Sequence, residues 1–291
     1  MRRKILSFAL LFVMLISLGP KNVYADEITG NVIISLGANL TEERKEAILK
    51  EFDAPEDAEI IYTTNAEEHE YLGGVIPKEK IGTNAISSVM ITYTKKGSGL
   101  NVQTSDKITY ITKEYYTNAL ITAGVEDADI KITSPVPASG TAALTGILKA
   151  HEISTGEVID EDVKKVANEE MVTTAELGEE IGVEEATELI NKIKQEIADK
   201  NPQTEEEVRN IIINVINNLN INVSDELIDK LVNLFNKMKD LDINWSEVSN
   251  QIEKFAKKAK DYLSSEEGQS FLQKVKIFFN KLIDWIGSLF K

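Results

Sequence analysis

The sequence predicts an α+β or α/β domain, built on what reads as a duplicated β-α-β-α unit, followed by an all-α helical bundle. Up to about residue 155, short β-rich runs alternate with helical ones, whereas afterwards only helical spacing remains. Two stretches about seventy residues apart share one plan of helix start, acidic turn and strand. Beyond residue 200 a series of capping residues each precedes an apolar stripe. These boundaries divide the chain into a leader at 1–25, an α/β domain at 26–155 and a helical domain at 156–291, which ends in an amphipathic helix at 271–290.

The leader comes first. Arg2, Arg3 and Lys4 precede an apolar run from Ile5 to Leu18, and Val23-Tyr24-Ala25 places small side chains at the last and third-last positions before Asp26. This is the layout of a signal peptide cut after Ala25. This run of fourteen residues would reach about 21 Å as a helix, short of the ~30 Å hydrocarbon core, so a cleaved signal fits better than a retained anchor. The expected location is therefore secreted, or on the extracellular face of the cell envelope. The chain has no cysteine, which removes lipid attachment, disulfides, thiolate zinc sites and thiol catalysis. Arg2, Arg3, Lys4 and Lys21 leave with the signal, taking the formal charge from −16 to −20 over 266 residues. So acidic a chain does not suit nucleic acid, whose phosphates require Lys and Arg.

In the α/β region, strands are expected at Asn31–Leu36, Ile60–Thr63, Ser88–Tyr93, Ile108–Tyr110 and Ile130–Thr133. Helices are expected at Thr41–Phe52, Ala66–Leu72, Lys113–Ala123 and Thr141–Glu152. Thr41 and Thr112 open the two matched helices as N-caps, and Glu56-Asp57-Ala58-Glu59-Ile60 matches Glu126-Asp127-Ala128-Asp129-Ile130. A shared sheet of two such units calls for right-handed crossovers. Gly97-Ser98-Gly99, between Tyr93 and Val102, reads as a hairpin turn.

In the helical region, Thr204 with Glu207 forms a capping box, and Ser224, Ser246 and Ser265 each precede acidic residues. The intervening stripes, such as Val208, Ile211, Ile212, Val215 and Ile216, need a partner surface, which a bundle supplies. From Glu152 to Glu188 there are thirteen carboxylates against Lys164 and Lys165. The spacing is not that of a calcium loop, so a solvated helix face is expected.

Several blocks in order resemble one family. They are SLGANLT from Ser35, TNAEEHEYLGG from Thr64, IGTNAISS from Ile81 and SGTAALTGILKAHE from Ser139. Together they are similar to the YpuA-type family of exported proteins of Gram-positive bacteria, and the similarity extends over the mature chain, including Ile221–Trp245. The resemblance implies export and association with the cell envelope. That family is a domain of unknown function, so it carries over no catalytic residue.

No motif identifies a reaction, a metal site or a cofactor. His69 and His151 have no histidine or carboxylate three or four residues away, so neither forms a helical metal pair. The ligand-binding candidates are Ser139, Gly140 and Thr141, which join a strand to a helix and can point N–H and hydroxyl groups at an anion, with Asn65 and His69 in the Thr64–Gly74 segment. A capped strand–turn–helix junction explains the same residues. At the C-terminus, Phe271, Phe278, Leu282, Trp285, Ile286 and Leu289 share an arc about 160° wide. With a net charge of +3 from Phe271 on, this helix can lie at a membrane surface or close the bundle. The expectation is an exported envelope protein that binds a wall component or an envelope protein without catalysis. The alternatives are a wall hydrolase using Glu67, Glu68 or Glu70 near His69, and a membrane-associated helical protein.

Overall fold

The computed structural model describes residues 29–76 and 78–264. The signal segment, the candidate at Ser265 and the amphipathic segment 271–290 lie outside the described residues. In chain order the elements are β1 Val32–Gly37, α1 Glu42–Phe52, β2 Glu59–Thr63, α2 Asn65–Leu72, α3 Lys78–Ile81, β3 Ser88–Tyr93, β4 Asn101–Thr104, α4 Lys113–Thr122, β5 Ala128–Thr133 and α5 Thr141–Thr155. Helices alone follow: α6 Glu161–Ile181, α7 Val183–Lys200, α8 Glu205–Leu219, α9 Asp225–Lys239 and α10 Trp245–Ser264. The chain is thus a mixed sheet with helices, followed by a helical run.

The strand order is β2-β1-β3-β5-β4. β1 and β2 are parallel, β4 and β5 are parallel, and β3 runs antiparallel to both β1 and β5. Period-two alternation aims Ile34, Leu36 and Met90 at Ile48 and Phe52 of α1. Ile33, Val89, Ile91, Val102, Ile130 and Ile132 face the other way, into a core shared with α4, α5 and the helices that follow. Each half therefore contains a strand–helix–strand parallel pair followed by a further helix.

Several expectations change on this frame. β1→β2 and β4→β5 step in the same direction across the sheet with parallel strands, but α1 and α4 lie on opposite faces. The two crossovers consequently have opposite hands, not two right hands. β3 and β4 are not a hairpin, because β5 lies between them. The carboxylate of Asp127 accepts from the Gly97 N–H at 2.8 Å and the Gly99 N–H at 2.5 Å, which ties the Gly97–Gly99 turn to the start of β5. Residues Ile108–Tyr110 make a single bridge, Ile108 to Ala138, in place of a strand.

Helix starts follow their capping chemistry in part. Thr41 accepts from the Arg44 N–H at 3.4 Å, and the Thr204–Glu207 capping box is present. Thr112 and Ser224 hold cap positions without a side-chain cap bond. The last described helix is opened not by Ser246 but by Asn244, whose side chain accepts from the Glu247 N–H at 3.1 Å. The acidic stretch is also not wholly a solvated face. Glu170 has no exposed surface, and its Oε1 lies 2.5 Å from Nζ of Lys194, also without exposed surface.

Candidate functional site

The carboxyl end of β2 leads through Thr64 straight into α2, and that of β5 leads through residues 134–140 into α5, which brings two distant segments together. Thr64 caps α2 in a capping box with Glu67, and Gly140 begins α5 at φ 95°. Glycine takes this left-handed conformation without a Cβ penalty. From the first turn of α2, the Glu68 side chain reaches the first residue of α5. Thr141 Oγ1 donates to Glu68 Oε1, and Asn65 Nδ2 donates to Glu68 Oε2 at 3.1 Å. Ser139 Oγ lies 3.0 Å from Thr141 Oγ1, and Tyr116 Oη donates to the Gly140 carbonyl at 2.5 Å.

Of the five candidates, Asn65 and Thr141 thus bond Glu68, Ser139 pairs with Thr141, and the Gly140 carbonyl is held by Tyr116. His69 turns aside, with Nε2 2.9 Å from the Gly82 carbonyl, which also accepts from Asn65 Nδ2 at 3.4 Å. Glu68 is almost fully buried, and burial pushes its carboxyl pKa up against the opposing hydrogen bonds from Thr141 and Asn65. Burial, with Glu68 nearby, also drives the Tyr116 phenol upward. At the α5 N-terminus, for which the sequence offered an anion or a capped junction, Thr141 meets this internal carboxyl group.

Beside this corner, α2, α5 and α6 form an open pocket of about 130 Å³ lined by Glu67, Tyr71, Thr145, Leu148, Lys149, Glu152 and Lys164. Lys149 Nζ bridges Glu67 Oε1 at 2.7 Å and the Tyr62 carbonyl at 2.9 Å. Lys164 Nζ bridges Glu152 Oε1 and Glu161 Oε1, both at 2.8 Å. Burial opposes charge on Lys164, but the hydrogen bonds to Glu152 and Glu161 prevail and hold its pKa above the ordinary value. Burial likewise works against the charge of Glu67, and Lys149 and Thr64 outweigh it, so that carboxylate sits below its usual range. Burial raises the Tyr71 phenol. Thr145 is 4% exposed, and its hydroxyl has no hydrogen-bond partner among the described residues.

Of these residues only Glu67 stood among the candidates of the sequence, as a hydrolase carboxylate. A signal for the others was present, because Thr145, Leu148, Lys149 and Glu152 follow the i, i+3, i+4, i+7 spacing of one helix face. Its partner surface, Tyr71 and Lys164, comes from elements whose packing no local pattern encodes.

Residues 36–255 match the family described as Protein of unknown function (DUF1002). The chain is also 47% identical over 279 residues to the "Uncharacterized protein YpuA" of Bacillus subtilis (strain 168), with 96% of each chain covered. The chain belongs to this DUF1002 family. No solved structure matches it. The DUF1002 match runs from β1 into α10 and so includes both the Glu68 corner and the neighbouring pocket. Among the described residues, no group of three or more His, Asp or Glu side chains is placed to hold a metal ion.

Proposed function

We propose that this DUF1002 protein is exported and acts in the cell envelope as a non-catalytic binding protein. The observation that supports binding over hydrolysis is the commitment of three of the four acid–base candidates, Glu67, Glu68 and His69, to internal partners, whereas Glu70 lies exposed on α2. Glu68 is held by Thr141 and Asn65, Glu67 by Lys149 and its own capping box, and His69 by the Gly82 carbonyl. A glycosidase pair needs two carboxyl groups about 5–10 Å apart facing one bond across a cleft. A buried, doubly bonded Glu68 instead fastens α2 to α5. Export rests on the signal-like layout of residues 1–25 and on the family resemblance.

The test is fractionation of intact Gram-positive cells expressing the chain, combined with crosslinking and with assay of the purified mature protein on peptidoglycan. Recovery outside the membrane with envelope material crosslinked, and no release of wall fragments, is expected. Wall-fragment release that disappears in Glu67→Gln or Glu68→Gln, or retention in the cytosol, would overturn the proposal.

A further inference from the structure

We propose that residues 271–291, which lie outside the described residues, hold the mature protein against an anionic phospholipid surface, with their apolar arc in the interface and their lysines at the headgroups. The inference rests on the envelope-binding function above and names the outer face of the membrane as one partner.

The described body leaves no surface for the arc to cover. Val208 and Ile212 of α8, Leu231 and Phe235 of α9, and Val248 and Ile252 of α10 are buried in one shared cluster. Among the described residues from α6 onward, the large apolar side chains left exposed are Val183 and Ile213, on different helices. The groove beside α10 offers no better seat. Its Leu100 and Val102 are already buried, and Lys113, Glu114, Asp129 and Glu184 share the lining. An arc that carries Phe278, Leu282, Trp285, Ile286 and Leu289 needs a continuous apolar partner.

Charge then selects the partner. From Lys254 to Lys291 there are eight lysines against four carboxylates, a net +4, which leaves −24 on residues 26–253. The basic end begins within the described structure, where Lys257, Lys258 and Lys260 are exposed near the end of α10. An anionic surface attracts this end and repels the acidic body, so contact concentrates at the C-terminus. A soluble anionic polymer would satisfy the lysines but leave the apolar arc in water, whereas a bilayer interface meets both. As a helix, residues 271–290 would be about 30 Å long, but Lys274, Lys276, Lys281 and Asp284 interrupt the apolar run, so the segment lies along the interface without crossing it.

The experiment is flotation of the whole mature chain with vesicles of phosphatidylglycerol and phosphatidylcholine in equal parts, and with phosphatidylcholine alone. Soluble poly(glycerol phosphate) is the competitor. We expect flotation with the anionic vesicles that falls with added salt, and its loss when Leu282→Glu and Trp285→Glu are combined. Lys274→Gln and Lys281→Gln, which leave the arc intact, should each weaken binding about fivefold. The proposal is overturned by absence of flotation, by equal flotation of the Leu282→Glu, Trp285→Glu variant, or by binding to the polymer in preference to vesicles. A lowered Tm of that variant without lipid also overturns it, because the arc would then be part of the bundle. Absence of flotation with envelope crosslinking retained removes the membrane contact and leaves the envelope-binding function standing.

Discussion

Glu68 shows what a single buried carboxyl does in this fold. Only 2% of it is exposed, so it loses hydration that the Thr141 and Asn65 hydrogen bonds do not fully replace, and burial raises its pKa from the ordinary 4.5. A raised pKa means that the folded protein holds this proton at pH values where the unfolded chain releases it. The stabilisation is thus fully present below pH 4.5 and is lost as pH rises through the folded value. Glu67 has the opposite sign, contributing above its ordinary pKa and losing that contribution in acid. Glu68→Gln isolates the first effect, since the amide keeps the shape and cannot titrate. Urea unfolding of the two proteins from pH 4 to 7 should show wild type losing stability relative to Glu68→Gln as pH rises. A constant difference between them would show that Glu68 titrates alike in both states.

At the scale of elements, close approach decides more than propensity does. Gly146 sits in the interior of α5, where a Cβ would lie 2.7 Å from Ser35 Oγ and 2.9 Å from Thr63 Oγ1. Those two hydroxyls bond each other at 2.7 Å across β1 and β2. Gly146→Ala gains about 1 kcal/mol of helix propensity but pushes α5 off the sheet, an overpacking cost of about 1–3 kcal/mol. Net destabilisation is expected in denaturant melts, together with weakening of the α2–α5 contacts. Unchanged or increased stability would show that α5 shifts freely. This contact lies outside local sequence pattern, as does the strand order. Ser88–Tyr93 and the C-terminal part of β5 are legible from their apolar β-branched runs, whereas Asn101-Val102-Gln103-Thr104 offers one apolar residue and no strand signature. The glycines at 97 and 99 announce a reversal without specifying the neighbour; Asp127, thirty residues from Gly97, does that by bonding both amides. Asn65 and Thr141 stood out in sequence because they flank helix starts. Their shared partner Glu68 did not stand out as that link, because nothing local places α2 against α5.

Over the whole molecule, the sheet and the helical run share a continuous core. The largest apolar cluster passes from Ile91 and Ile130 of the sheet through Tyr116 and Leu120 of α4 to Ile190 of α7 and Phe235 of α9. A polar tie crosses the same boundary. Glu170 of α6 pairs with Lys194 of α7, while Lys194 donates to the Asn118 carbonyl at 2.8 Å and Thr122 donates to Glu170 at 2.5 Å, both from α4. Burial holds the Glu170 carboxyl above its ordinary pKa and the Lys194 amine below it, each against the pull of its partner. A pair so deep is stabilising only while complete, since losing one member strands the other in the core. Lys194→Met should therefore cost about 3–5 kcal/mol, and Glu170→Leu with Lys194→Met substantially less than the two single changes summed. Because α4 belongs to the sheet's core and to this tie, the loss should lower the stability of both regions together. Calorimetry should then give one cooperative transition in wild type and one, at lower temperature, in Lys194→Met. Two resolved transitions, with only the helical one moved by the substitution, would show instead that the regions fold as independent domains and that the tie serves the helices alone.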